Sequence, residues 1–138
     1  MASTEPASFI NLDLELESHS NLSALAQHLA GQVFVLFNGE TAQGFRLVME
    51  PLIDSALNGN PLACTEHFIA LLNSLPKELL DIWKNCTFRV FDYGFEGGIE
   101  CPPLHTTICT ASLLQIANLG ADIRITVYPF REEEPCTK

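Results

Sequence analysis

Positive charge is scarce in this chain. Seven Lys and Arg stand against 17 Asp and Glu, which leaves a formal net charge of −10. No stretch gathers basic residues into a patch, so the sequence argues against nucleic-acid binding, where Lys and Arg neutralise phosphates. Anionic membrane surfaces are disfavoured on the same ground. Long apolar runs are also missing. Stretches such as Val33–Phe37 are far too short to cross a bilayer. The start, Met1 to Ser8, shows neither the basic nor the apolar region of a secretory leader. No Gly-x-Gly-x-x-Gly and no Gly-Lys-Ser/Thr signature is present, so nucleotide cradling has no support. The expectation is a cytoplasmic protein with no membrane and no nucleic-acid partner.

Cysteine is present in odd number: Cys64, Cys86, Cys101, Cys109 and Cys136. Without an export signal these read as free thiols in a reducing compartment. Cys86 and Cys109 read as small buried hydrophobes at the edges of elements.

What the chain does have is patterning. Apolar residues make up 47% and charged residues 17% of 138 positions, enough for one domain with its own core. Residues 1–7 and 131–138 read as flexible ends of that domain. Leu12, Leu14 and Leu16 alternate with Asp13, Glu15 and Glu17, the period of a strand with one wet face. Leu22, Leu25, Ala26 and Leu29 follow helical spacing, with Ser20 or Asn21 as cap and Gly31 as stop. Val33–Phe37 and Gly44–Glu50 predict a hairpin whose turn begins at Asn38-Gly39. Helices are predicted over 65–75 and from Pro76, whose ring suits a first turn. A strand follows over 87–93, then a helix capped by Thr110 and ended by Gly120, then a strand in which Ile123, Ile125 and Val127 alternate with polar residues. The order β-α-β-β-α-β followed by α-β predicts an α+β two-layer sandwich of split-βαβ, ferredoxin-like character. Its sheet is mainly antiparallel with helices on one face. Asp13, Glu15, Glu17, Arg124 and Thr126 belong on the other, wet face.

The segment Leu113-Leu-Gln-Ile-Ala-Asn-Leu-Gly-Ala-Asp-Ile-Arg-Ile125, with Tyr128 after it, resembles the closing helix and strand of a family of small bacterial α+β proteins of unknown function. Asn38-Gly39-Glu40 resembles that family's Gly-Glu turn. The chain departs from the family at its start, where the leucine-glycine-proline turn has no match. The resemblance implies a βαββαβ-type core and supplies no activity.

The richest local chemistry lies in residues 94–108, where Gly94, Gly97 and Gly98, Pro102 and Pro103, Glu96 and Glu100, Cys101 and His105 crowd together. Glycine and proline shape such a loop, and shaped loops on a scaffold often carry function. Cys64-x2-His67 and Cys101-x3-His105 offer two thiolates and two imidazoles, a legitimate tetrahedral set for zinc, although neither half is a close Cys-x2-Cys pair. Cys101 as a nucleophile would be handicapped, because Glu96 and Glu100 raise rather than lower its pKa. Asp92, Glu96 and Glu100 read either as converging carboxylates or as a solvated acidic loop, with Asp92 pointing away from Phe91 and Tyr93.

An acidic field suits a basic protein partner. The expected function is a binding module without catalysis and without a cofactor; an antidote to a toxic nuclease is one analogy that fits this size and charge. Its binding residues are expected to be Asp92, Phe95, Glu96, Glu100 and His105, within a patch continued by Asp13, Glu15, Glu17 and Glu132–Glu134. Trp83 and Tyr93 are expected as aromatic anchors beside Phe95. A free sheet edge pairing with itself would give a homodimer. The alternatives are a zinc-binding or hydrolytic domain centred on Cys101 and His105, or a small-ligand module with a pocket between layers.

Overall fold

Leucine alternating with acid forms a strand with one dry and one wet face. In the computed structural model, which describes residues 4–131, that pattern becomes β1 (Ser8–Ser18). The elements that follow are α1 (Ser23–Leu29), β2 (Val33–Thr41), β3 (Gly44–Pro51), α2 (Pro61–Asn73), α3 (Lys77–Lys84), β4 (Phe88–Glu96), α4 (Thr110–Asn118) and β5 (Asp122–Tyr128). The strands make one open sheet in the order β2-β3-β1-β4-β5. All neighbours pair antiparallel except β4 and β5, which are parallel. β3 therefore sits between β1 and β2, and β1 sits between β3 and β4. This is the split-βαβ weave, with α4 and β5 added along one edge. It is the α+β class that the sequence pattern predicts.

Local chemistry accounts for most boundaries. The Asn60 side chain accepts from the Leu62 and Ala63 amides, and Pro61 occupies the first helical position. This cap starts α2 ahead of the predicted Thr65. Gly31 and Gly120 stand at φ +88° and +73° just beyond α1 and α4, as helix-ending glycines do. The hairpin differs from expectation. Asn38 and Gly39 lie inside β2, opposite Leu47 and Arg46, and the turn is Ala42–Gln43. Continuing to Thr41–Gly44 keeps four further cross-strand pairs that a turn at Asn38-Gly39 would forfeit. That ladder outweighs the local turn preference.

The four helices of the described residues pack on one face. The core there joins Leu12, Leu14 and Leu16 of β1, Leu47 and Met49 of β3 and Phe91 and Tyr93 of β4 to Leu25, Phe68, Leu72, Trp83 and Ile116 of the helices. Phe68 meets Phe91 edge-on at 6.0 Å between ring centres. Tyr93 and Thr65 share a buried hydrogen bond of 2.6 Å. The Trp83 indole N–H donates to the Leu119 carbonyl. Trp83 and Tyr93 are thus core residues, each 1% exposed, and not surface anchors: their rings fill the layer between helices and sheet. The Arg89 guanidinium donates to the carbonyls of Trp83, Lys84, Cys86 and Gly120, closing the ends of α3 and α4 together.

Candidate functional site

The opposite face of the sheet has no covering layer among the described residues, and strand alternation dictates what it presents. β1 contributes Asn11, Asp13, Glu15 and Glu17. The register brings Arg46, Val48 and Glu50 of β3 alongside on one flank, and Val90 and Asp92 of β4 on the other. Arg124 and Thr126 of β5 lie beyond Asp92 and Gly94.

Glu15 is the centre. It is 7% exposed although no layer of the described residues covers it. Its cross-strand neighbours are Val48 and Val90, two buried apolar residues that stand outside the main core. They keep water from its flanks. Arg46 and Arg124 each direct Nη2 to one of its carboxylate oxygens. A buried carboxylate needs such partners, because desolvating an unpaired charge is costly. Arg46 also lies 5.8 Å from the centre of the Phe37 ring, which holds the guanidinium against the sheet. Arg124 is shared: Nη2 donates to Asp92 Oδ2 at 2.8 Å, while the Thr126 hydroxyl donates to Asp92 Oδ1 at 2.7 Å. Asn11 donates to Glu50 at 3.0 Å. A β-carbon at Gly94 would stand 2.6 Å from the Asn11 side-chain oxygen, so glycine there leaves room for that amide.

Asp13 is the exception. Its Oδ1 is buried without a hydrogen-bond partner among the described residues. Its pKa is raised from 3.8 to about 6, first by burial and then by the Glu50 and Asp92 carboxylates, with Arg124 offsetting part of the rise. The face as a whole sets five carboxylates (Asp13, Glu15, Glu17, Glu50 and Asp92) against the guanidinium groups of Arg46 and Arg124. It offers ion pairing and hydrogen bonding to a cationic surface.

The residues expected to bind do not share one place. Asp92 is buried on the open face, pointing away from Phe91 and Tyr93 as expected. Phe95 is half-buried on the helix side and stacks edge-on against Phe9. Glu96 ends β4. Glu100 and His105 are exposed in the loop that follows, Glu100 at φ +44°. That loop is tied at its start, where Ile99 and Glu5 exchange two backbone hydrogen bonds. With β4 and β5 it frames a groove of about 360 Å3 lined by Phe95, Glu96, Leu104, Thr106, Ile125 and Val127. Glu132–Glu134 and Cys136 lie outside the described residues.

The four metal-ligand candidates are also dispersed. Cys64 is buried at the start of α2, where burial pushes its thiol up, and the His67 ring is engaged at 2.7 Å with the Gln32 carbonyl. Cys101 and His105 lie in the loop after β4. Among the described residues no three His, Cys, Asp or Glu side chains gather closely enough to hold a metal. Cys86 is buried as expected, its thiol pushed up to about 11 by burial. Cys109 is exposed instead, because it precedes α4 outside the packed layer; its sulfur lies 3.3 Å from the Ser112 hydroxyl, and hydrogen bonds from the Ser112 side chain and backbone to the thiolate lower its pKa.

Sequence reading places Asp13, Glu15, Glu17, Arg124 and Thr126 on this face and misses Arg46 and Glu50. Their signal was the alternation Arg46, Val48, Glu50 against Phe45, Leu47, Met49. No protein-family model, curated protein or solved structure matches the chain. No helix among the described residues is long and apolar enough to cross a membrane.

Proposed function

We propose that this protein is a non-catalytic binding module of the cytoplasm that holds a basic protein partner on the open face of its sheet. One observation carries the reading: a broad sheet face, uncovered among the described residues, whose carboxylates outnumber its guanidinium groups, in a chain of net charge −10. Glu15 and Asp92 are held rigidly by Arg46, Arg124 and Thr126, so the face is shaped before a partner arrives and little ordering cost falls on binding. Glu17 and Glu50 are spared those arginine contacts and remain available to a partner's Lys and Arg. Charge complementarity of this kind speeds encounter and weakens with ionic strength.

The test is capture from native lysate on the reduced protein, washed at low and then high salt, beside a Glu17→Lys/Glu50→Lys variant. A basic protein retained at low salt by the native chain, released by high salt and not retained by the variant, supports the reading. Equal retention by both, or retention indifferent to salt, counts against it.

A second reading rests on the groove beside Ile125 and Val127, which has room for a small apolar ligand. A library of such molecules that raises the melting temperature of the native protein, but not of Val127→Glu, would favour it.

A further inference from the structure

We infer that β2 is a self-association edge, pairing antiparallel with β2 of a second copy about a two-fold axis at Leu36. β2 is an outer strand, and among the described residues its far side meets a single bridge, from Ala30 to Val33, which leaves Phe34 onward unpaired. An outer strand presents unpaired amides and carbonyls, and natural sheets usually blunt such an edge with lysine, proline or inward charge. From Val33 to Gly39 this strand has no lysine, proline or charge; of such devices it carries a register shift between Val35 and Phe37. It shows Phe34, Val35, Leu36 and Phe37 in succession, between 42% and 57% exposed. With about 150–250 Å2 for a large aromatic side chain, the four together expose on the order of 350 Å2. That approaches the largest apolar patch of an ordinary monomer, which often has a function.

The occupant follows from charge and symmetry. In a chain of net charge −10, most surfaces repel a second copy; this segment has no ionisable group to do so. A two-fold axis makes the pairing antiparallel. The Glu40 end of one strand then lies beside the Gln32 end of the other, so the glutamates do not meet. The ladder shifts register between Val35 and Phe37, which bends the edge at Leu36. An axis at Leu36 bends both copies at the same point and sets Val35 of each beside Phe37 of the other. The opposite outer strand is a poorer choice, since β5 carries Asp122 and Arg124. Two such patches and their backbone edges bury an area near the lower end for specific interfaces, so the dimer is reversible. It would join two sheets into one and set two open faces side by side.

Sedimentation velocity over a concentration series tests this, with hydrogen exchange of the 33–41 amides read alongside. The native protein is expected to pass reversibly from monomer to dimer, with protection of those amides rising with concentration. Leu36→Lys is expected to move the midpoint about tenfold or more higher in concentration, and Val127→Lys to leave it unchanged. Should Leu36→Lys lose its native circular dichroism, Phe34→Lys takes its place with the same expectation. A native protein that stays monomeric up to about 1 mM, a dimer indifferent to both β2 variants, a dimer lost in Val127→Lys, or open-ended polymers would each overturn the proposal.

Discussion

The two faces of β1 are built from neighbouring residues and live in different physics. Leu12, Leu14 and Leu16 turn toward the helices and are fully buried in an apolar layer. Asp13, Glu15 and Glu17 turn the other way, where a carboxylate is kept by water, by an arginine, or at a cost. Burial of apolar area concentrates stability on the first face. On the second, the arginine contacts gather at Glu15 and Asp92, and Glu17 stands at the wet margin. One strand can thus anchor a fold on one side and leave a charged face open on the other, provided no second layer forms over it.

Substitutions on the two faces can break or sharpen that contrast. The largest effect belongs to the helix side: Leu14→Ala is expected to lower stability by about 3–5 kcal/mol in urea unfolding, the cost of a cavity in a closed core. A loss below about 1 kcal/mol would mean that this layer is loosely packed. Next comes Glu15→Ala, which leaves Arg46 and Arg124 without their shared carboxylate. Both guanidinium groups reach solvent, so the expected cost is about 1–2 kcal/mol, below that of breaking a fully buried pair. It should exceed the effect at Glu17 in the same titration.

Asp13 gives a smaller effect with a distinctive pH dependence. Its pKa is about 6 in the folded protein against 3.8 ordinarily, so the folded state holds that proton more tightly. The stabilisation from this group is complete below about pH 4 and is lost as pH rises through 6. Allowing for solvent screening at a partly exposed carboxyl, Asp13→Asn should raise stability at pH 7 by about 1 kcal/mol and flatten the profile between pH 4 and 7. An unchanged profile would show that Asp13 finds a partner in solution. The smallest effect is expected at Glu17→Lys: a change within about 0.5 kcal/mol in thermal unfolding, since this side chain stands at the wet margin of the face.

How legible all this is in the sequence follows from what periodicity encodes. Alternation at Leu12–Glu17 identifies both the strand and its faces, and helical spacing at Leu22–Leu29 identifies α1, because side-chain direction repeats with backbone geometry. Alternation says nothing about which strands lie beside β1. The clasp of Arg46 and Arg124 on Glu15 depends on that order, and so stays hidden until β3, β4 and β5 take their places. Trp83 and Tyr93 look like surface anchors in the sequence because an aromatic residue with a polar tip serves either role. Here the Leu119 carbonyl and the Thr65 hydroxyl satisfy those tips inside the core. The 94–108 loop draws the eye by composition, yet its charged residues disperse while the charged centre assembles from four strands.

The most direct test of the account is the affinity of the purified native protein for a captured basic partner, measured across a salt series beside Glu17→Lys/Glu50→Lys. The account predicts binding that weakens steadily with salt and falls at least about tenfold in the variant at low salt, with the folded state intact in both. An affinity independent of salt, or equal for the two proteins, would contradict the claim that the open face is the binding surface.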